Sequence, residues 1–209
     1  MIAIRYSESQ EIFDRLCRDP VIAAHLNKLE QYHQETFAHS LRVALLSLDL
    51  GLQNGLDLPW LEILGQAALL HDIGKLQLPV ELLSKPDQLN QAEVDLLRDH
   101  PRLGFEILDG YLPAEVPAIV MAHHEFAPDP YPRANGGGHT GQQRPGSRRK
   151  RAPSLVELAQ ILAAADMFDA LNNRRAYKDP LSCDETYLML VSQYLGDPHY
   201  LDQVIERCS

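Results

Sequence analysis

The sequence has no uninterrupted apolar run approaching the roughly 18–20 residues that a bilayer span requires, which argues against membrane insertion. Its first twenty residues, MIAIRYSESQEIFDRLCRDP, scatter charges through the opening turns. They lack the long apolar stretch and cleavage site of a signal peptide. Only three cysteines occur, Cys17, Cys183 and Cys208. They are too few and too far apart for a disulfide framework or a zinc knuckle, and read as idle or buried thiols of a reducing cytoplasm. Positive charge is scarce too: 19 Lys and Arg against 29 Asp and Glu leave a formal net charge of −10. That balance argues against DNA and against general nucleic-acid binding. Strand-like alternation of useful length is missing, and no internal repeat is visible.

What remains is helical periodicity in a 209-residue chain that is 45% hydrophobic, enough for one domain with a sizeable core. Residues 8–31 predict one or two short amphipathic helices, and residues 33–54 a long one with Phe37, Leu41, Ala44, Leu45, Leu48 and Leu52 on one face. Asp57 and Pro59 mark the start of a helix running to about Asp72. Asn90 with Glu93, Ser154 with Glu157, and Ser182 with Glu185 have capping-box spacing. Pro101 suits the first turn of a helix that Gly110 ends, and residues 113–124 predict another. An all-α bundle follows, in which residues 1–32 form a short N-terminal helical extension and residues 33–209 the main domain.

The segment 134–153, ANGGGHTGQQRPGSRRKRAP, breaks this pattern. Between Arg133 and Ala152 lie six Lys or Arg and no acid, leaving about −16 on the rest of the chain. Glycine, proline and like charges cannot bury enough surface to offset ordering entropy, so 133–153 reads as a mobile basic loop inserted in the domain. The Arg148-Arg149-Lys150-Arg151 run reads first as a solvated surface and second as an electrostatic lid for a dinucleotide or an acidic partner.

The chemistry-bearing signal is His71-Asp72-Ile73-Gly74-Lys75, closing the apolar helix ALLHDIGK. Imidazole and carboxylate are both metal ligands, Gly74 permits the backbone to turn away, and Lys75 adds a cation beside any bound anion. Alone, the pair is weak. Its company strengthens it: His39 on the preceding helix with Glu35 one turn earlier, His100, the consecutive His123 and His124, and Asp166. That aspartate sits mid-helix in LAQILAAADMFDAL, where an unpaired carboxylate would be costly to bury.

The order His39, His71-Asp72, Asp166 resembles the signature of HD-domain metal phosphohydrolases, and the added His100, His123 and His124 resemble the HD-GYP subfamily of cyclic di-GMP phosphodiesterases. HDIGKLQLPVELLSKPDQLNQAEVDLLRDHPRLGFEIL and ADMFDALNNRRAYK are similar to two further segments of that subfamily. The resemblance covers roughly residues 33–205 and implies an HD-domain helical bundle with a di- or trinuclear metal site. By that resemblance the ligands are His39, His71, Asp72, His100, His123, His124 and Asp166. Glu35 completes a third site, and Asp72 bridges two ions. Asp72 and Lys75 are the catalytic residues. Lys75, Tyr131, Arg175 and Lys178 bind substrate, while Asp169, Arg174 and Tyr177 are structural.

Imidazole and carboxylate without thiolate suit iron, manganese, nickel or zinc more than magnesium, and the resemblance favours iron or manganese. The implied reaction is attack on phosphorus by a hydroxide held between the ions, yielding linear pGpG from cyclic di-GMP and GMP after a second cut. The subfamily's loop, approximately HHE-x-x-D-G-x-G-Y-P, is here HHEFAPDPYP, residues 123–132. It keeps Tyr131 and Pro132, lacks both glycines and is one residue shorter. Two alternatives therefore stay open: an HD phosphohydrolase of another nucleotide or phosphoester, and a weakly active or inactive cyclic di-GMP-binding or protein-interaction module. A signalling protein partner, met through the GYP-like or basic loop, and a homodimer are further expectations.

Overall fold

The computed structural model describes residues 2–131, 152–172 and 182–208. Among these the chain forms α1 (Ile2–Cys17), α2 (Pro20–Tyr32), α3 (Gln34–Gln53), α4 (Leu58–Leu70), a 3-10 turn (Ile73–Gln77) and α5 (Val80–Leu83). It continues through α6 (Gln91–Leu97), α7 (His100–Leu108), α8 (Glu115–Ala122), α9 (Leu155–Asn172), α10 (Cys183–Gln193) and α11 (Pro198–Ile205). No strand occurs among the described residues, as the periodicity predicts. The basic run 132–151 and the segment 173–181, which carries Arg174, Arg175, Tyr177 and Lys178, lie outside the described residues.

Helix starts follow local chemistry. Asn90 and Ser182 each accept a hydrogen bond from the backbone N–H of the residue three positions on, while the Glu93 and Glu185 carboxylates accept one from the cap's backbone N–H, so these two predicted capping boxes form. Ser154 and Glu157 exchange the same pair of bonds ahead of α9. Asp57 occupies the N-cap of α4 but makes no side-chain cap bond there. The Asp19 carboxylate caps α2, ahead of Pro20 in the first turn. Gly110, at φ 78°, lets the chain leave α7 by a left-handed residue.

The core is built around α9. Leu158, Ile161, Leu162, Ala163, Ala164 and Ala165 are all buried, and the short alanines allow close approach of neighbouring helices. The α3–α4 pair packs beside it, contributing Leu48, Leu50, Leu64, Leu69 and Leu70, none with any solvent exposure. Full burial of one such side chain is worth about 1.5–3 kcal/mol. Ile12, Leu16, Ile22, Leu26 and Leu29 carry α1 and α2 into the same core. Asp166 interrupts this apolar helix at 7% exposure, with Asp169 one turn on at 5%. A bundle that buries two carboxylates must compensate them, and the compensation is the site.

Candidate metal centre

Three histidines bond back to the last turn of a helix, where the carbonyls have no intrahelical partner. His71 and His123 directly follow α4 and α8, and His100, the first residue of α7, stands three residues past the end of α6. In each the Nδ1–H donates to the carbonyl three residues earlier: His71 to Ala68 at 2.8 Å, His100 to Leu97 at 2.8 Å, His123 to Val120 at 2.5 Å. A carbonyl only accepts, so these bonds place the proton on Nδ1 and leave the Nε2 lone pair pointing inward. His39, on α3, is held differently, its Nδ1 lying 2.7 Å from Asp169 Oδ2.

The inward atoms converge. His39 Nε2 and His71 Nε2 are 3.3 Å apart, and His100 Nε2 and His123 Nε2 are 3.2 Å apart. Asp166 Oδ1 lies 3.0 Å from His39 Nε2 and 3.8 Å from His71 Nε2. The Asp72 carboxylate divides between the two pairs. Its Oδ1 faces His100 at 3.3 Å, and its Oδ2 faces His71 at 3.6 Å and His39 at 3.9 Å. Among the described residues three groups have the spacing of a metal site: His39, His71 and Asp166; His71, Asp72 and His123; and His100, His123 and His124.

The donor set fits a metal ion on physical grounds. His100 and His123 are buried, their Nδ1 protons are committed to carbonyls, and their Nε2 lone pairs oppose each other with a carboxylate oxygen beside them. Among the described residues that is three acceptors and no donor in a buried place, an arrangement a cation relieves. Two ligands on one ion with bonds of about 2.1 Å stand roughly 3.0–3.4 Å apart, matching both histidine pairs.

Electrostatics agree. Burial, first of all, pushes the pKa of His100 and of His124 down to about 3 and that of His123 well below its ordinary value. All three are neutral, in the ligand form. Burial alone would raise Asp72, but the Lys75 ammonium, the largest of the opposing influences, holds it well below the carboxylate range. Asp166 is likewise held low, chiefly by His39, against burial. At His39 burial acts downward, yet Asp166 and Asp169 outweigh it and push the imidazole up to about 10. The carboxylates thus call for positive charge where the histidine lone pairs converge.

Lys75 donates to Asp72 Oδ2 at 2.6 Å. A cavity of about 590 Å³ opens on the His39–Asp72 side, lined also by Glu35, Arg42, Lys75 and Lys85, a size usual for ligand pockets. Glu35 is exposed on α3 and belongs to none of the three close groups among the described residues. Tyr131 stacks on His124, with centroids 4.4 Å apart.

The role expected of Gly74 is corrected. Its φ is not positive; what it supplies is the missing side chain. A Cβ there would lie 2.0 Å from the His100 carbonyl oxygen and 2.5 Å from the Gly104 nitrogen. Glycine lets the 3-10 turn carrying Lys75 touch the backbone that presents His100. Sequence reasoning also passed over Arg42, whose Nε and Nη2 grip the two oxygens of Asp169 at 2.7 and 2.9 Å. The available signal was its place three residues after His39, on the same face of α3.

Comparison with known proteins gives a consistent picture. Residues 18–200 match the family model described as HD domain. A cyclic di-GMP phosphodiesterase of Thermotoga maritima is 33% identical over 188 residues, 87% of this chain and 46% of that protein. The cyclic di-GMP phosphodiesterase response regulator RpfG of Xanthomonas campestris is 34% identical over 158 residues, 73% of this chain and 38% of that protein. A 3'3'-cGAMP-specific phosphodiesterase 2 of Vibrio cholerae is 31% identical over 170 residues, 80% of this chain and 30% of that protein. The chain spans less than half the length of these relatives. Its fold is similar to the crystal structure of the L. monocytogenes phosphodiesterase PgpH HD domain, with a TM-score of 0.54, 18% identity, and coverage of 88% of this chain and 83% of that one. Among the described residues no helix is long and apolar enough to cross a membrane.

Proposed function

The chain belongs to the HD domain family, and on that premise we propose that it is a metal-dependent phosphodiesterase of the HD-GYP type that hydrolyses cyclic dinucleotides, cyclic di-GMP first among them, in the cytoplasm. The observation that carries this reading is the opposed, buried Nε2 pair of His100 and His123 beside Asp72 Oδ1. Among the described residues, no donor meets these lone pairs. The similarity to phosphodiesterases of cyclic di-GMP and of 3'3'-cGAMP supports the substrate class.

In this proposal His39, His71, Asp72, His100, His123, His124 and Asp166 hold two divalent ions, iron or manganese, with Glu35 the added ligand of a third. When bound, the ions supply positive charge at the phosphoryl oxygens and the acidity that makes water a nucleophile at neutral pH. The protein's own groups do the rest. Lys75, released from its pairing with Asp72 once that carboxylate is engaged elsewhere, presents its ammonium to a non-bridging phosphate oxygen. Asp169 keeps the His39 proton on Nδ1. The buried faces of α4, α8 and α9 exclude bulk water behind the ligands. Overall, one water is consumed and the P–O3′ ester opens, giving a phosphomonoester and a free 3′-hydroxyl, pGpG from cyclic di-GMP.

A second reading, preference for another cyclic dinucleotide, is favoured by the shortened loop through Tyr131 and by the similarity to the cGAMP-specific enzyme. The deciding experiment purifies the protein without oxygen, counts its metal, and follows cyclic di-GMP, 3'3'-cGAMP and a nucleotide panel by chromatography beside Asp72→Ala. Cleavage of cyclic di-GMP that Asp72→Ala abolishes is the expected result. Fully metallated protein that cleaves nothing sinks the proposal, and cleavage of 3'3'-cGAMP alone selects the second reading.

A further inference from the structure

We propose that Tyr131, secured by Arg98, is a positioning residue for His124 and hence for the metal group of His100, His123 and His124. The proposal rests on the reading of that group as a metal site. His71, His100 and His123 are each oriented by a carbonyl of the helix they follow. His124 lies one residue further along; its ring meets those of His123 and His100, with centroids 4.0 and 5.2 Å away, and is stacked by the phenol of Tyr131, 4.4 Å between centroids with the planes 27° apart. The same phenol stands edge-on to His100 at 6.2 Å. A flat ring laid on an imidazole limits its rotation about the Cβ–Cγ bond, which is what a ligand needs if its lone pair is to stay aimed.

Tyr131 can do this only if the segment carrying it is held, and the structure shows the holding points. The Phe126 carbonyl accepts from the Leu195 backbone N–H at 2.7 Å, and its ring packs near Tyr194. Pro128 and Pro130 fix φ on both sides of Asp129. Arg98 Nη2 pairs with Asp129 Oδ2 at 2.6 Å, and the same guanidinium lies 5.2 Å from the Tyr131 ring centroid. One cation thus binds the segment twice, by charge and over the ring face. Arg98 caps the C-terminus of α6, two residues before His100. The ion pair therefore ties the backbone that presents His100 to the segment that presents Tyr131. In a loop without glycines, this tie is what seats the tyrosine.

The role uses the ring and not the hydroxyl, which makes it separable from hydrogen bonding to substrate. The test titrates Co²⁺ into metal-free protein and follows its visible absorption, for wild type, Tyr131→Phe, Tyr131→Ala and Arg98→Ala, with His100→Ala marking which equivalent belongs to this group. Tyr131→Ala is expected to weaken that equivalent roughly 10-fold and to shift its absorption bands, while Tyr131→Phe stays within about 2-fold of wild type. Arg98→Ala is expected to weaken it about 3-fold, and the double variant to lose less than the two single losses combined. Arg98→Ala also serves as the independent arm should Tyr131→Ala fail to fold, as judged by circular dichroism of the metal-free protein. Unchanged Co²⁺ affinity and spectrum in Tyr131→Ala overturn the proposal, as does a Tyr131→Phe loss equal to that of Tyr131→Ala. If wild type lacks the Co²⁺ equivalent that His100→Ala should remove, the metal reading of the group fails first, and that result is distinct from the Tyr131 outcome.

Discussion

Asp169 holds the Nδ1 of His39 at 2.7 Å, across 130 residues of sequence, and is itself clamped by two donors of Arg42. The relationship explains why α9 carries two buried carboxylates one turn apart. Asp166 faces the Nε2 of His39 and Asp169 faces its Nδ1, so both edges of a single imidazole are met from one helix. Arg42 offsets the cost of burying the outer carboxylate.

Asp169→Asn removes the charge that holds the His39 tautomer and leaves Arg42 without its ionic partner. Metal affinity at the His39 group is expected to fall about 10- to 100-fold, measured by competition with a fluorescent chelator. Arg42→Lys should fall less, because an ammonium keeps the charge but not the two-pronged geometry. Wild-type affinity in Asp169→Asn would show that Asp166 alone orients the ring.

Metal binds the native arrangement and not the unfolded chain, so loading should stabilise the fold by mass action. At a free ion concentration 100 times Kd the gain is about 2.7 kcal/mol, which for a domain of this size is a rise in Tm of about 5–10 °C. Differential scanning fluorimetry with Mn²⁺ and then excess chelator reads it. No shift in either direction would contradict an ion at the buried lone pairs of His100 and His123.

Gly74→Ala places a Cβ against two backbone atoms, the His100 carbonyl oxygen and the Gly104 nitrogen, neither of which can swing aside as a side chain could. A loss of about 3 kcal/mol in urea unfolding of the metal-free protein is expected, together with weakened metal binding because His100 shifts. Equal stability of Gly74→Ala and wild type would mean that the 3-10 turn is freer to move than its packing implies.

The capping box of α10 sets a pH dependence with a definite sign. The backbone N–H and hydroxyl of Ser182 hold Glu185 below its ordinary value of 4.5. A carboxylate with a depressed folded pKa contributes stability that is complete above the unfolded pKa and disappears as pH falls through the folded one. The protection factors of the Glu185 and Thr186 amides, taken against intrinsic exchange at each pH, should therefore fall on acidification below about pH 4.5. In Glu185→Gln that loss of protection should be absent. An identical pH profile in the variant would assign the acid sensitivity to another group.

Much of the site was legible because its ingredients are local. His71-Asp72 closing an apolar helix, paired histidines at 123 and 124, and a lone aspartate in an otherwise apolar α9 are all patterns of residue type and position. So are the capping boxes at Asn90 and Ser182, each of which closes within four residues. Arg42 and Arg98 escaped notice because their significance depends on partners far along the chain or in a segment of irregular backbone. Arg42 meets Asp169 across 127 residues, and no periodicity reports such a pairing.

The sequence by itself determined the donor types, their order along the chain and the helices that carry them, since these follow from side-chain chemistry and short-range hydrogen bonding. The tertiary structure alone decided which nitrogen of each histidine faces inward and which carboxylate oxygen faces which histidine pair. Those outcomes depend on how α3, α4, α8 and α9 pack around one buried point. Gly74 shows the division most clearly. Its identity could be read as a turn signal, but only the 2.0 Å approach of a hypothetical Cβ to the His100 carbonyl reveals that the position has no room for a side chain.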